Sequence, residues 1–167
     1  LARRAREDLW ICKPGADPHI EHVLCAADAT PAAGAAVLRA AELCRRFNAR
    51  LRLLSVVPEP AGLASDDLEE DLRALKRSQK EFLDQSDLQG MPLSRSMAWA
   101  ADPATEVLHE AGQLADGVLV IGASSENRPA HARLGPTAEA VLRGKMTPAT
   151  EAALFRAFVS DLGRSAN

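Results

Sequence analysis

HVLCAADATPAAGAAVLRAAELCRRF, residues 22–47, is the stretch that decides the fold. His22–Ala27 is almost wholly apolar and stops at Asp28, the pattern of a short buried strand. Thr30 or Asp28 then stands where a helix cap belongs. Pro31 falls in the first turn, where a missing N–H costs the helix nothing. Ala33, Ala36, Val37, Ala40, Ala41, Leu43, Cys44 and Phe47 share one wide helical face, with Arg39, Arg45 and Arg46 on the wet side. Asn48 is the expected stop.

Further along, the same alternation repeats. Arg50–Val57 (RLRLLSVV) alternates and then turns fully apolar, as a central parallel strand does, and Pro58-Glu59-Pro60 ends it. Ser65 to about Gln85 is a charged amphipathic helix with Leu68, Leu72, Leu75 and Leu83 inside. Gly90–Pro92 is a turn, Leu93–Trp99 a third strand, and Asp102-Pro103 opens a helix carrying Val107, Leu108 and Leu114. Val118–Ile121 is a fourth strand that runs into Gly122, then a polar loop to Arg133, and Gly135–Leu142 begins another helix. Strands alternating with helices predict an α/β fold: a doubly wound, mostly parallel sheet with helices on both faces, Rossmann-like in plan. In such sheets a ligand crevice lies at the carboxyl ends of the strands, where strand order reverses.

The two ends fit less well. Asp8–Pro14 (DLWICKP) reads as a strand ahead of the first one. Where a fifth parallel strand belongs, Thr147 and Pro148 signal a helix start, and Leu154, Phe155, Phe158, Val159 and Leu162 make an apolar stripe at helical spacing. The expectation is a C-terminal helix in place of the fifth strand. The division follows: residues 1–20 as an N-terminal extension or the tail of a preceding domain, 21–145 as the main domain, 146–167 as a helical extension.

Composition bounds the function. The chain has 167 residues, enough for one domain. Lys+Arg 20 against Asp+Glu 23 gives a net charge of −3, without the basic surplus of a nucleic-acid binder. Aromatics are 4% with no Tyr, too few for a base-stacking surface. The longest apolar runs, such as Gly117–Ile121, fall far short of a membrane span of roughly 20 residues. The basic N-terminus is followed by no apolar signal core. Three cysteines, Cys12, Cys25 and Cys44, are odd in number and lack metal spacing, which suits reduced thiols in a cytoplasm.

Four segments together resemble the universal stress protein family. HVLCAADATP matches the family's first strand ending in Asp, with Asp28 on that aspartate. LRLLSVVPEP matches the second strand, with Val56 on the adenine-contacting position. Ala101-Asp102-Pro103 matches the family's Gly-Asp-Pro with Ala for Gly, and VLVIGASSENRPAHARLGPTAEAVL matches its glycine loop and following helix. The resemblance covers roughly residues 21–143. It implies a regulatory, non-catalytic module of the stress response, cytoplasmic and homodimeric. It also implies a site for ATP or AMP, with Mg²⁺ carried by the nucleotide. Adenine would lie near Asp28 and Val56, and phosphates over Gly122, Ser125, Gly135 and Thr137.

The loop departs from that pattern. Gly122 and Gly135 hold the first and third glycine positions, but the middle one is Ser125 and the residue after Gly135 is Pro136, where ATP binders of the family have Ser or Thr. A phosphate loop works by backbone N–H groups at a helix N-terminus. Pro136 removes one such donor together with a hydroxyl. A lost charge-assisted hydrogen bond costs roughly 1.5–3 kcal/mol, and a side chain forced to φ > 0 at Ser125 would add about 1 kcal/mol. The expectation is weak or lost nucleotide binding.

Each candidate has a plainer reading beside it. Asp28 serves either the adenine or ribose edge or a helix cap. Arg128, His131 and Arg133 either replace missing amides as cationic phosphate contacts or form a solvated loop. Ser124 and Ser125 either bond phosphate oxygens or are ordinary loop residues. Cys25 and Cys44 read as core, as do Trp99 and Phe47, while Cys12 is the exposed thiol. His22 and His109 have no partner at metal spacing. Asp66–Asp71 suits a helix start, and Phe155 and Phe158 are core or a partner surface. Two rival functions stand: a pure dimerisation or interaction domain with a vestigial pocket, and a nucleotide hydrolase, which would need a catalytic group better than Asp28.

Overall fold

In a computed structural model the chain is described over residues 9–12, 19–28, 31–58, 88, 90–114, 116–122, 135–144 and 156–160. Helical positions 70, 73, 76, 77, 80, 81 and 84 are described between them. The elements run β1 (Leu9–Cys12), β2 (His22–Ala26), α1 (Pro31–Phe47), β3 (Arg50–Pro58), β4 (Leu93–Ala100), α2 (Pro103–Gly112), β5 (Gly117–Gly122), α3 (Pro136–Arg143) and β6 (Arg156–Ser160). They build one six-stranded sheet of order β1-β6-β5-β2-β3-β4. Neighbours from β6 through β4 are parallel, and β1 alone runs antiparallel, on β6.

Strand alternation sorts the core into two layers. Val23, Cys25, Leu51, Leu53, Val118 and Val120 face α1, which meets them with Ala36, Val37, Ala40, Ala41 and Cys44. Leu24, Leu54, Leu119 and Ile121 face the opposite layer, where Ala104, Val107 and Leu108 of α2 and Ala138 and Val141 of α3 close over them. A strand with both faces covered must be apolar throughout, which is why β2 and β5 show no alternation. Each fully buried Val or Leu here contributes roughly 1.5–3 kcal/mol. The alanines on α1 let it approach the sheet closely.

Helix ends follow local chemistry. α1 stops where Asn48 takes a left-handed φ of 53°. The N–H of Ala49 then donates to the carbonyl of Cys44 at 2.9 Å, the bond that closes a Schellman turn. The charged residues Glu70, Arg73, Lys76, Arg77, Lys80, Glu81 and Asp84 are helical and exposed, as the wet face of the charged helix requires. Its expected inner residues Leu68, Leu72, Leu75 and Leu83 lie outside the described residues, as does Asp66–Asp71 apart from Glu70.

Two expectations need correction. Residues 156–160 form a strand rather than a helix, parallel to β5 with Leu119 opposite Ala157 and Val120 opposite Phe158. The outer edge of β5 would otherwise leave backbone donors and acceptors unpaired, and satisfying them outweighs a helical stripe in the sequence. The N-terminal strand forms as expected, at Leu9–Cys12. It adds a sixth, antiparallel strand outside β6. Phe47, expected in the core, is 36% exposed because it sits on the last turn of α1, where the chain leaves the sheet. Trp99 is half-buried on β4, while Cys25 and Cys44 are buried as expected.

Candidate functional site

The chain passes from β2 to β3 and β4 on one side, then crosses back to place β5 on the other side of β2. Strand order therefore reverses between β2 and β5, and a crevice opens above their carboxyl ends. Registers fix what lies there. Ala26 pairs with Leu54 of β3 and with Ile121 of β5. Continuing both by one and two places sets Ala27 beside Gly122, and Asp28 beside Val56.

The exit of β2 is held firmly. The N–H of Ala27 donates to the Leu54 carbonyl at 3.0 Å, and the Ser55 hydroxyl donates to the Ala27 carbonyl at 2.7 Å. Ser55 is the buried polar side chain of the described core. It was not among the sequence candidates, although it is the polar interruption in the apolar run Leu53–Val57, and that signal was available. Asp28 follows this clamp and is exposed at the strand ends.

The other expected residues fall around the same edge. Val56 is half-buried on the face of α2 and α3. Gly122 lies on the opposite face, over α1: a Cβ added there would meet the Cβ of Ala36 at 3.9 Å, ordinary contact distance. The position is thus close-fitting without excluding a side chain. Gly135 is buried and caps α3 with φ −68° and ψ 161°, its carbonyl accepting from the N–H of Glu139 at 2.8 Å. Thr137 is half-buried in the first turn of α3. Because β5 and β6 are parallel, the connection between them must return across the sheet, and α3 begins at the carboxyl edge. Ser125 and Arg128, with Ser124, His131 and Arg133, lie outside the described residues.

Asp102 stands at the end of β4 as the N-cap of α2. It accepts from the Ala104 N–H at 3.2 Å and from the Thr105 hydroxyl at 2.5 Å. These bonds, the hydroxyl first, hold its carboxyl below the usual carboxylate range. The family-like Ala101-Asp102-Pro103 segment is therefore a helix cap in this structure.

The helices α1, α2 and α3 start at this edge, and all three start on proline: Pro31, Pro103 and Pro136. Their N-termini direct partial positive charge at the crevice, which favours an anion there. Proline at the first position suits the helix but withdraws one N–H from any ligand. Among the described residues no three His, Cys, Asp or Glu side chains gather to hold a metal ion. No helix among them is long and apolar enough to cross a membrane.

Residues 19–148 match the universal stress protein family. Universal stress protein UspA from Lactobacillus plantarum shares 23% identity with a TM-score of 0.67, over 87% of this chain and all (100%) of that one. A universal stress protein solved in complex with cAMP is 17% identical with a TM-score of 0.62, over 86% of this chain and 99% of that one. A protein from Pseudomonas aeruginosa UCBPP-PA14, described as a universal stress protein, is 22% identical with a TM-score of 0.64. That match takes in 95% of this chain but 54% of the other, so this chain spans about half its length. Among curated proteins no match is found.

Proposed function

The chain belongs to the universal stress protein family, and on that premise we propose that it is a non-catalytic regulatory module of the stress response whose crevice takes ATP or AMP weakly. The observation that carries the reading is the placement of Asp28, Val56 and Gly122 at the carboxyl ends of three adjacent strands, where strand order reverses. Adenine would rest against Val56 with Asp28 at its edge. Phosphates would meet the N-termini of the helices near Gly122, Gly135 and Thr137, with Ser125 and Arg128 contributing from the loop. A structural neighbour of the same fold holds cAMP, an adenine nucleotide, which supports this ligand class. Mg²⁺ would arrive on the nucleotide.

Weakness follows from Pro136, which stands at the first position of α3 without an N–H to offer. A binding role is favoured over turnover by what the edge presents. Of its described acids, Asp102 is committed to capping α2 and Asp28 is exposed at the strand ends. The free, buried thiols of Cys25 and Cys44 suit a cytoplasmic setting. Pro136 also favours a second reading, a protein-interaction domain with a vestigial pocket.

The test is calorimetric titration of nucleotide-stripped protein with ATP and AMP in the presence of Mg²⁺. Saturable heat that is lost in Asp28→Ala supports the first reading. No heat up to millimolar nucleotide supports the second. ATP turnover that vanishes in Asp28→Ala would overturn both in favour of a hydrolase.

A further inference from the structure

β3 sends its side chains alternately into the two layers of the core. Leu51 and Leu53 enter the layer under α1, and Leu54 and Val56 the opposite one. By that alternation Ser55 takes the next place on the α1 side, where it is 3% exposed. The two places before it on that side are leucines. Packing alone does not favour a hydroxyl there, and a buried hydroxyl must find a partner.

The partner lies where the sheet stops. The register of β2 on β3 runs from His22 opposite Arg50 to Ala26 opposite Leu54, and one more place sets Ala27 opposite Ser55. The Ala27 N–H donates to the Leu54 carbonyl at 3.0 Å, as a ladder residue does. The next bond of a parallel ladder would run from a backbone N–H of β3 into the Ala27 carbonyl. The Ser55 hydroxyl donates to that carbonyl at 2.7 Å. A side chain thus closes the ladder at the crevice. Both polar groups of Ala27 are held on β3, so the planar trans peptide joining Ala27 to Asp28 has a fixed orientation, with the Asp28 N–H directed away from β3. Asp28 is the next residue, exposed at the strand ends.

We propose that Ser55 is a positioning residue: its hydroxyl, closing on the Ala27 carbonyl, sets the direction in which Asp28 leaves β2 and enters the crevice. The use of that direction, presentation of Asp28 to the adenine edge of a nucleotide, rests on the function proposed above. The clamp itself does not. Ser96 supplies the comparison. Its hydroxyl also donates to a carbonyl of β3, that of Leu53 at 3.4 Å. Leu53 stands in the middle of the paired register, opposite Cys25 on one side and Arg95 on the other. Losing the Ser96 hydroxyl therefore releases no strand end, whereas losing that of Ser55 releases the exit of β2.

Amide hydrogen exchange followed by NMR and calorimetry with AMP, both on the full chain, test this. Ser55→Ala should speed exchange at the Ala27 N–H by roughly 3- to 10-fold relative to Cys25, two places back on the same strand. Global destabilisation would move both amides together. Ser96→Ala should leave that ratio as in the wild type. Ser55→Ala should also weaken AMP by about 3- to 10-fold, and Ser96→Ala should not. Equal acceleration at Ala27 and Cys25, or none at either, overturns the clamp. Acceleration confined to Ala27 with AMP affinity unchanged overturns the positioning role and leaves the nucleotide site standing. Acceleration confined to Ala27 in a protein whose wild type gives no heat with AMP upholds the clamp and overturns the nucleotide reading alone, because exchange is read without ligand.

Discussion

Arg52 near the start of β3 and Glu110 near the end of α2 close an ion pair of 2.5 Å across the sheet–helix interface. The guanidinium also donates from Nε to the Ser96 hydroxyl of β4 at 3.3 Å. One side chain thus ties two strands and a helix at the edge of the sheet opposite the crevice. The pair is neither surface nor core, with side chains 31% and 20% exposed. Exposed pairs contribute about 0.2–1 kcal/mol, and breaking a fully buried pair costs about 3–5 kcal/mol. Arg52→Ala and Glu110→Ala should each cost about 1–3 kcal/mol, between those limits. A double-mutant cycle in urea should return a coupling near 1 kcal/mol that shrinks in salt. Additive single effects would show that the two charges are held apart in solution.

Gly117 opens β5 under a steric constraint. A Cβ built on it would lie 2.8 Å from the Cβ of Leu114. Gly117→Ala should therefore destabilise by roughly 1–3 kcal/mol, the usual cost of overpacking. The clash is with a Cβ, so Leu114→Ala will not relieve it. Thermal unfolding of Gly117→Ala with and without Leu114→Ala checks this: the second substitution should add its own loss and rescue nothing.

Asp102 makes α2 sensitive to acid. Its folded-state pKa is lowered by the Thr105 hydroxyl and the Ala104 N–H. A carboxylate with a depressed pKa stabilises the fold fully above its ordinary value of 3.8 and loses that contribution as pH falls through the lowered value. Asp102→Asn keeps an acceptor for the cap but cannot titrate. Its stability should fall less steeply than wild type below pH 3.8, as read by urea midpoints across the acid range. Thr105→Val removes the leading cause and should move the acid limb of the wild-type curve upward.

Cys25 on β2 and Cys44 on α1 belong to the same apolar layer. Burial first, and then the neighbouring Cys44, pushes the Cys25 thiol up. Burial pushes Cys44 up to about 11 against a small opposing effect of Arg45. At neutral pH a thiol with that value is ionised in roughly one molecule in ten thousand, and the thiolate is the reactive form. Both should resist a thiol reagent in native protein and react promptly in urea, followed by peptide mass. Fast native labelling of either would mean that the α1 layer opens readily.

The middle of the chain is legible because one kind of information dominates it. His22–Ala27, Leu51–Val57 and Val118–Ile121 are buried on both faces, so hydrophobicity fixes them, and Pro31, Asn48 and Asp102 mark helix ends by backbone chemistry. Residues 154–162 mislead for a physical reason: a short apolar stripe satisfies helical and strand spacing alike. What decides is the unpaired edge of β5, which is remote in sequence. Asp28, Val56, Gly122 and Gly135 are readable because they sit at strand and helix ends. Ser55 escaped because its role lies in a partner, the Ala27 carbonyl, that only the parallel register brings near.

Pro136 is where the proposed nucleotide site is best tested by gain rather than loss. It is exposed at the first position of α3, directly after the buried cap Gly135. Serine there would restore a backbone N–H and a hydroxyl at a helix N-terminus while leaving the helix in place, since that N–H has no partner within the helix. One regained hydrogen bond to a charged phosphate is worth about 1.5–3 kcal/mol, or roughly 10- to 150-fold in affinity. Pro136→Ser should tighten ATP by at least tenfold in calorimetry, and the gain should be smaller for adenosine, which lacks the phosphates. Equal improvement for both ligands would place the phosphates elsewhere. No improvement for either would mean that the N-terminus of α3 faces no nucleotide, and the crevice would then serve a partner protein instead.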